Sequence, residues 1–80
     1  MEKNYFPYML FKDNNGNIAK HVGDNTDIGC AYEEALRYKE EYKPIECGIE
    51  CRTKDLFKII SWKEGRYYRS EGTHLYKFVV

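Results

Sequence analysis

Three cysteines and two histidines are the residues of this chain whose types could carry out nucleophilic or metal chemistry. Two of the cysteines, Cys47 and Cys51, lie in the segment IECGIEC, where each follows a glutamate. Residues four apart on an extended strand are separated by about 13 Å, because each residue advances about 3.3 Å. The Cα atoms of a disulfide lie within about 7 Å of each other. We therefore expect a strand whose two thiols are buried in the core and neither bridge each other nor chelate one zinc ion.

The third thiol, Cys30, lies near the start of a predicted helix, where the helix dipole favours a thiolate. His21 or His74 could supply a general base, and Asp24 or Asp27 could orient that base. No family signature surrounds the cysteine, and the cysteines and histidines lack the paired spacings of a zinc site. An odd number of cysteines also suits a reducing compartment. The sequence predicts a protein that is not an enzyme and uses no metal or cofactor.

The elements that position these side chains can be read from the hydropathy pattern. Tyr5–Lys12 and Ile18–Val22 flank the turn sequence DNNGN and predict a hairpin. Ile28–Tyr42 has the apolar spacing of an amphipathic helix, which Pro44 ends because its ring cannot continue the hydrogen-bond ladder. The residues predicted to face the core from this helix are Ile28, Tyr32, Ala35, Leu36 and Tyr42.

After the helix the apolar period changes to two, which predicts a half-buried strand with one apolar face. The apolar positions of that strand are Ile45, Cys47, Ile49 and Cys51. Residues 56–62, residues 66–69 and the segment from Leu75 onward predict three further strands, separated by turns and arranged as a meander. The sequence predicts one compact domain, residues 1–80, of the α+β class. A single antiparallel β-sheet would carry one amphipathic helix on one face, in the order β-β-α-β-β-β with room for one more strand.

The length and the net charge of the chain argue against several classes of function. A chain of 80 residues buries only about 60% of its unfolded surface and offers little room for a deep pocket. No apolar run approaches the roughly 18 residues of a membrane span, and the first apolar run is too short for a signal peptide. We therefore predict a cytoplasmic protein that does not contact membranes. The 13 basic and 13 acidic residues balance, which disfavours a generally basic nucleic-acid-binding protein.

The charges are nevertheless segregated along the chain, with an acidic middle and a basic tail from Arg52 onward. The acidic candidates, which fall on the outer side of the predicted helix, are Glu33, Glu34, Glu40 and Glu41. This acidic surface is either a solvated helix face or a patch that could occupy a basic, nucleic-acid-binding groove on a partner. The C-terminal candidates, which combine cations with flat rings, are Lys58, Trp62, Arg66, Tyr68, Arg69 and Lys77.

Cations and aromatic rings together are typical of interface hot spots, and they also occur in single-stranded nucleic-acid sites, where phosphate contacts and base stacking act together. We favour a macromolecular protein partner and keep nucleic acid as the alternative. In size, layout and richness in Lys, Asn, Ile, Tyr and Glu, the chain resembles small phage or mobile-element proteins. Some of these, anti-CRISPR and other anti-defence proteins among them, inhibit a host complex by binding it, so the resemblance implies a small inhibitor. The partner, the oligomeric state and the sheet face under the helix stay open.

Overall fold

The part of the chain that the structure describes forms a five-stranded antiparallel sheet with a helix packed on one face. The computed structural model describes residues 4–51, 65–70 and 73–78. The elements in chain order are β1 (Tyr5–Lys12), β2 (Ile18–Val22), α1 (Ile28–Tyr42), β3 (Glu46–Cys51), β4 (Gly65–Ser70) and β5 (Thr73–Phe78). The predicted α+β class and the order β-β-α-β-β-β are confirmed. The additional strand predicted over residues 56–62 lies outside the described residues.

The turn between β1 and β2 forms as the sequence DNNGN predicts. The backbone amide of Asp13 donates to the carbonyl of Asn17 at 2.8 Å. The Asp13 carboxylate accepts from the amides of Asn15 and Asn17, both at 2.9 Å. Gly16 adopts a φ of +82°, a conformation that costs glycine little because it has no Cβ. These local bonds fix the hairpin register.

Helix α1 has the predicted bounds because each end carries its own signal. Asp27 is the N-cap, and its carboxylate accepts from the amide of Cys30 at 2.9 Å. This hydrogen bond lowers the pKa of Asp27. At the other end Lys43 adopts the left-handed conformation, with φ 45° and ψ 56°, and Pro44 follows. A left-handed C-cap is usually glycine, because a Cβ is strained there.

A glycine at position 43 is therefore expected to stabilise the protein. The substitution Lys43→Gly removes the strain of a left-handed residue that carries a Cβ. It also gives the unfolded chain more conformational freedom, which offsets part of the gain. We expect the free energy of unfolding to rise by about 0.5 to 1 kcal/mol. Urea unfolding curves of the wild type and the variant measure this difference. Lys43→Ala is the matched control, since it removes the lysine side chain but keeps the Cβ. Equal stability of the alanine and glycine variants would contradict the strain argument.

The strands lie in the order β2-β1-β3-β5-β4, and each neighbouring pair is antiparallel. The predicted C-terminal meander is wrong, because β5 lies between β3 and β4 and pairs with both. Alternation identifies a strand but says nothing about its neighbours. The buried residues of β5, at positions 74, 76 and 78, suit the interior place beside β3, and β4 is the outermost of the described strands on that side.

The core lies between α1 and the sheet face that we call the helix face. Ala31, Ala35 and Tyr38 supply the helix side. The two alanines have small side chains, so the helix backbone can approach the sheet closely. The sheet side is formed by Cys47, Ile49, Tyr76 and Phe78. Cys47 and Cys51 are both free thiols with 0% exposure, which confirms their predicted place in the core.

Three other sequence expectations about burial need correction. Tyr42 was predicted to face the core but is 58% exposed, because it is the last helical residue, where the sheet no longer covers the helix. Ile45 is 46% exposed and precedes β3 rather than starting it. The last strand was predicted to begin at Leu75, but β5 begins at Thr73 and His74 is buried within it. Helical and strand periodicity place residues on a face and do not show where that face stops being covered.

Strand β3 is buried on both faces, so the predicted half-buried strand is wrong as well. Its second face carries Gly48 and Glu50, and Glu50 is only 4% exposed. A Cβ built on Gly48 would lie 2.9 Å from the carbonyl carbon of Tyr76 and 3.0 Å from the Cα of Lys77. The glycine therefore permits a close approach of the β5 backbone.

Candidate interaction surfaces

The side of α1 that points away from the sheet forms one continuous surface, which we call the outward face. Successive turns of a helix with 3.6 residues per turn bring its members together. They are Cys30, Glu33, Glu34, Arg37, Glu40 and Glu41. Of the four predicted glutamates, Glu34 is half-buried and the other three are exposed. The structure thus places all four predicted acidic candidates on one surface.

The outward face keeps an excess of negative charge. Its one guanidinium, on Arg37, pairs with the carboxylate of Glu34. Lys39 lies towards the sheet, where its charge acts on the thiol of Cys47. Four carboxylates and one guanidinium leave a formal charge of 1 − 4 = −3 on the outward face. An exposed pair such as Glu34 with Arg37 contributes less than about 1 kcal/mol to folding.

An aromatic strip, formed by His21, Tyr38 and Tyr42, borders the outward face. The rings of His21 and Tyr38 meet edge to face, with centroids 5.5 Å apart, and those of Tyr38 and Tyr42 are 6.2 Å apart. Tyr38 is buried, whereas the other two rings are exposed. Sequence reasoning missed this strip, because Tyr42 was counted as core and His21 was considered only as a base or metal ligand. The i,i+4 spacing of the two tyrosines was its one sequence signal.

Charged side chains lie near Tyr38, the buried ring of the aromatic strip. Burial raises the pKa of the Tyr38 hydroxyl, and the nearby charges of Glu34 and Asp24 raise it further. Glu41 precedes Tyr42 in the chain and is exposed. The guanidinium of Arg37 acts on Tyr38 in the opposite direction, so the buried ring of the strip lies near charges of both signs, and Glu34 is already paired with Arg37.

The C-terminal candidates are only partly placed by the structure. Lys58 and Trp62 lie outside the described residues. Three others lie in the edge strand β4, with Arg66 opposite Lys77, Tyr68 opposite Leu75 and Arg69 opposite His74. Lys77 is in β5, where its ammonium lies 3.5 Å from the carboxylate of Glu46. This predicted partner-binding cation is thus already engaged within the domain.

The sheet face opposite the helix carries a partly buried polar cluster that sequence reasoning did not identify. The Tyr8 hydroxyl donates to Glu46 at 2.8 Å, and Tyr8 is 2% exposed. Burial raises the pKa of Tyr8, and the Glu46 bond raises it further. Lys20 passes over the Tyr8 ring, 5.4 Å from its centroid, and pairs with the buried carboxylate of Glu50. Lys77 completes the cluster by pairing with Glu46. The cluster ties four strands together, and its sequence signal was the placement of two glutamates on one face of β3.

The nucleophilic set considered at Cys30 in the sequence is not brought together. Cys30 is exposed beside a shallow depression that it lines with Glu33, Glu34 and Arg37. His21 instead packs in the aromatic strip, and His74 lies opposite Cys51 in the sheet. Across residues 4–51, 65–70 and 73–78, no group of three His, Cys, Asp or Glu side chains is arranged to hold a metal ion.

Comparison with known proteins identified no relative. No protein-family model, curated protein or solved structure matches the chain. In the part of the chain that the structure describes, no helix is both long enough and apolar enough to cross a membrane. The candidate functional surfaces are the two that neighbour each other on the helix side, the outward face and the aromatic strip.

Proposed function

We propose that this domain is a non-enzymatic binding protein whose interface with a protein partner is centred on the outward face of α1. The observation that carries this proposal is the convergence of four glutamates on one helix face with a single guanidinium. Complementary charge speeds encounter and selects a partner with a basic surface. The neighbouring exposed Tyr42 supplies a residue type that is enriched at interface hot spots.

An acidic helix face favours a basic protein over nucleic acid at this surface, because its carboxylates repel phosphates. The grooves of nucleic-acid-binding proteins are basic, so this domain could occupy such a groove in place of the nucleic acid. It would then act as a small inhibitor of a host complex in the cytoplasm, as anti-defence proteins of phages and mobile elements do. Single-stranded nucleic-acid binding through the C-terminal strands is the competing function. The pairing of Lys77 with Glu46 weighs against it.

A capture experiment with charge variants tests the proposal. The immobilised protein is incubated with nuclease-treated and untreated lysate of the source cell, and bound protein and nucleic acid are identified. The double variant Glu33→Gln/Glu40→Gln neutralises the outward face and keeps good helix formers. We expect a specific protein to be retained after nuclease treatment, and its affinity for the purified double variant to fall about tenfold.

The matched control is Asn14→Lys/Asn15→Lys, which changes the net charge equally but in the exposed β1–β2 turn. It is expected to bind the captured protein within about twofold of the wild type, because rim charges remote from an interface act mainly through a weak screened field. If both double variants weaken binding equally, net charge rather than the outward face is responsible and the proposal fails. Recovery of RNA or DNA, with loss of all binding after nuclease treatment, would establish the competing function instead.

A further inference from the structure

The turn between β1 and β2 contains the only asparagine of the chain that precedes a glycine, Asn15. The other asparagines, at positions 4, 14, 17 and 25, are each followed by a residue with a side chain. Because glycine has no Cβ, its backbone nitrogen is the least hindered one that can follow an asparagine. Asn15 and Gly16 are both exposed, and no atom outside the adjoining residues lies within 4 Å of a Cβ built on Gly16. The pair therefore has both open space and access to water.

An asparagine and a glycine in this order can react with each other. Once the backbone nitrogen of Gly16 has lost its proton to solvent, it forms a bond to the side-chain carbonyl carbon of Asn15. The bond from that carbon to the side-chain nitrogen breaks, and ammonia leaves after taking a proton from solvent. Water then opens the resulting cyclic imide. Attack on the side-chain carbonyl gives aspartate, and attack on the backbone carbonyl gives isoaspartate, whose main chain contains one extra carbon. One asparagine and one water thus become one acidic residue and ammonia, without an oxidant or reductant.

The turn restrains this reaction through Asp13. The backbone N–H of Gly16 donates to the carbonyl of Asp13 at 3.0 Å, so the attacking nitrogen keeps its proton while the turn is closed. The carboxylate of Asp13 accepts from the amides of Asn15 and Asn17 and fixes the loop further. All five residues of the turn are exposed, and these hydrogen bonds join only residues 13–17. Such a turn opens locally without unfolding of the sheet, so the reaction proceeds at a rate set by this opening.

We propose that Asn15 is a site of spontaneous deamidation and that Asp13 is the positioning residue that slows it. The product carries a new negative charge in the turn, two residues from the carboxylate of Asp13. Its isoaspartate form also lengthens the backbone inside a turn whose local bonds fix the hairpin register. The inference is independent of the proposed function, because the turn lies outside the outward face of α1.

Mass spectrometry of peptides from the full chain tests the proposal, after incubation at mildly alkaline pH with samples taken over days. We expect Asn15 to be converted while the other asparagines stay intact. Asp13→Ala removes the acceptor of two hydrogen bonds and should speed the conversion about fivefold, because the turn opens more often. Asp13→Asn keeps an acceptor oxygen at the same place, so its rate should lie within about twofold of the wild type. Circular dichroism verifies that both variants are folded.

Asn15→Gln is the control for the position of the reaction, because the longer side chain closes a ring much more slowly. This variant should not acquire the acidic form that the wild type shows on isoelectric focusing. If Asn15 stays intact in the folded chain but is converted in urea, the turn does not open and the proposal is overturned. Conversion of other asparagines as fast as Asn15 would overturn it too. Equal rates for the wild type and Asp13→Ala would show that Asp13 does not restrain the reaction.

Discussion

Gly48→Ala is expected to destabilise the protein by about 3 kcal/mol, at the upper end of what overpacking costs in a core. A Cβ at this position would overlap the carbonyl oxygen of Tyr76 and crowd the Cα of Lys77. Both are backbone atoms, so no side-chain rotation can relieve the overlap. β3 and β5 would have to separate, and that separation weakens the ladder in which Gly48 pairs with Lys77. Urea unfolding of the wild type and the variant measures the loss.

Gly16→Ala is the matched control for this prediction. Gly16 has a positive φ but no atom within 4 Å of a built Cβ, so alanine there meets backbone strain without any overlap. Its expected cost is about 1 kcal/mol. If Gly48→Ala loses more stability than Gly16→Ala, the difference measures the effect of the close approach of β5 to β3. If Gly48→Ala proves as stable as the wild type, β5 does not approach β3 as closely as described.

Much of the fold could be predicted because its signals are local. Helix α1 begins after Asp27 and ends before Pro44, where the N-cap and the proline ring act within a few residues. The place of β5 between β3 and β4 could not be predicted in this way. Strand pairing joins residues far apart in the chain, and β3 to β5 is such a pairing. Periodicity within each strand is the same whichever neighbour it has.

The candidate surfaces also differ in whether local spacing or a tertiary contact forms them. The four glutamates of the outward face share a helical period, so their convergence followed from spacing alone. The aromatic strip depends on His21 of β2 lying beside Tyr38 of α1, a tertiary contact without a sequence pattern. The burial of Glu50 likewise depends on Lys20, which reaches it from two strands away. A glutamate in an alternating strand is otherwise expected at the surface.

In native protein Cys30 is expected to react with a thiol reagent about a thousandfold faster than Cys47 and Cys51. Cys30 is exposed, whereas the other two thiols are fully buried and react only when the chain opens. For a domain with a free energy of unfolding of about 5 kcal/mol, global opening alone gives a protection of that order. Burial also raises the pKa of Cys47 to about 11, so the folded state itself holds little reactive thiolate at this position. Mass spectrometry of peptides from labelled protein, sampled over time, measures the three rates separately.

Cys30→Ser is the variant that makes this measurement decisive. It leaves only the two buried thiols, so all remaining labelling reports opening of the core and should rise steeply with urea. Rapid labelling of both Cys47 and Cys51 without denaturant would contradict their place between α1 and the sheet. Slow labelling of the two at one common rate would show that they are exposed by the same cooperative opening. That result fits their neighbouring positions on one face of β3, where no local fluctuation at either end could expose both.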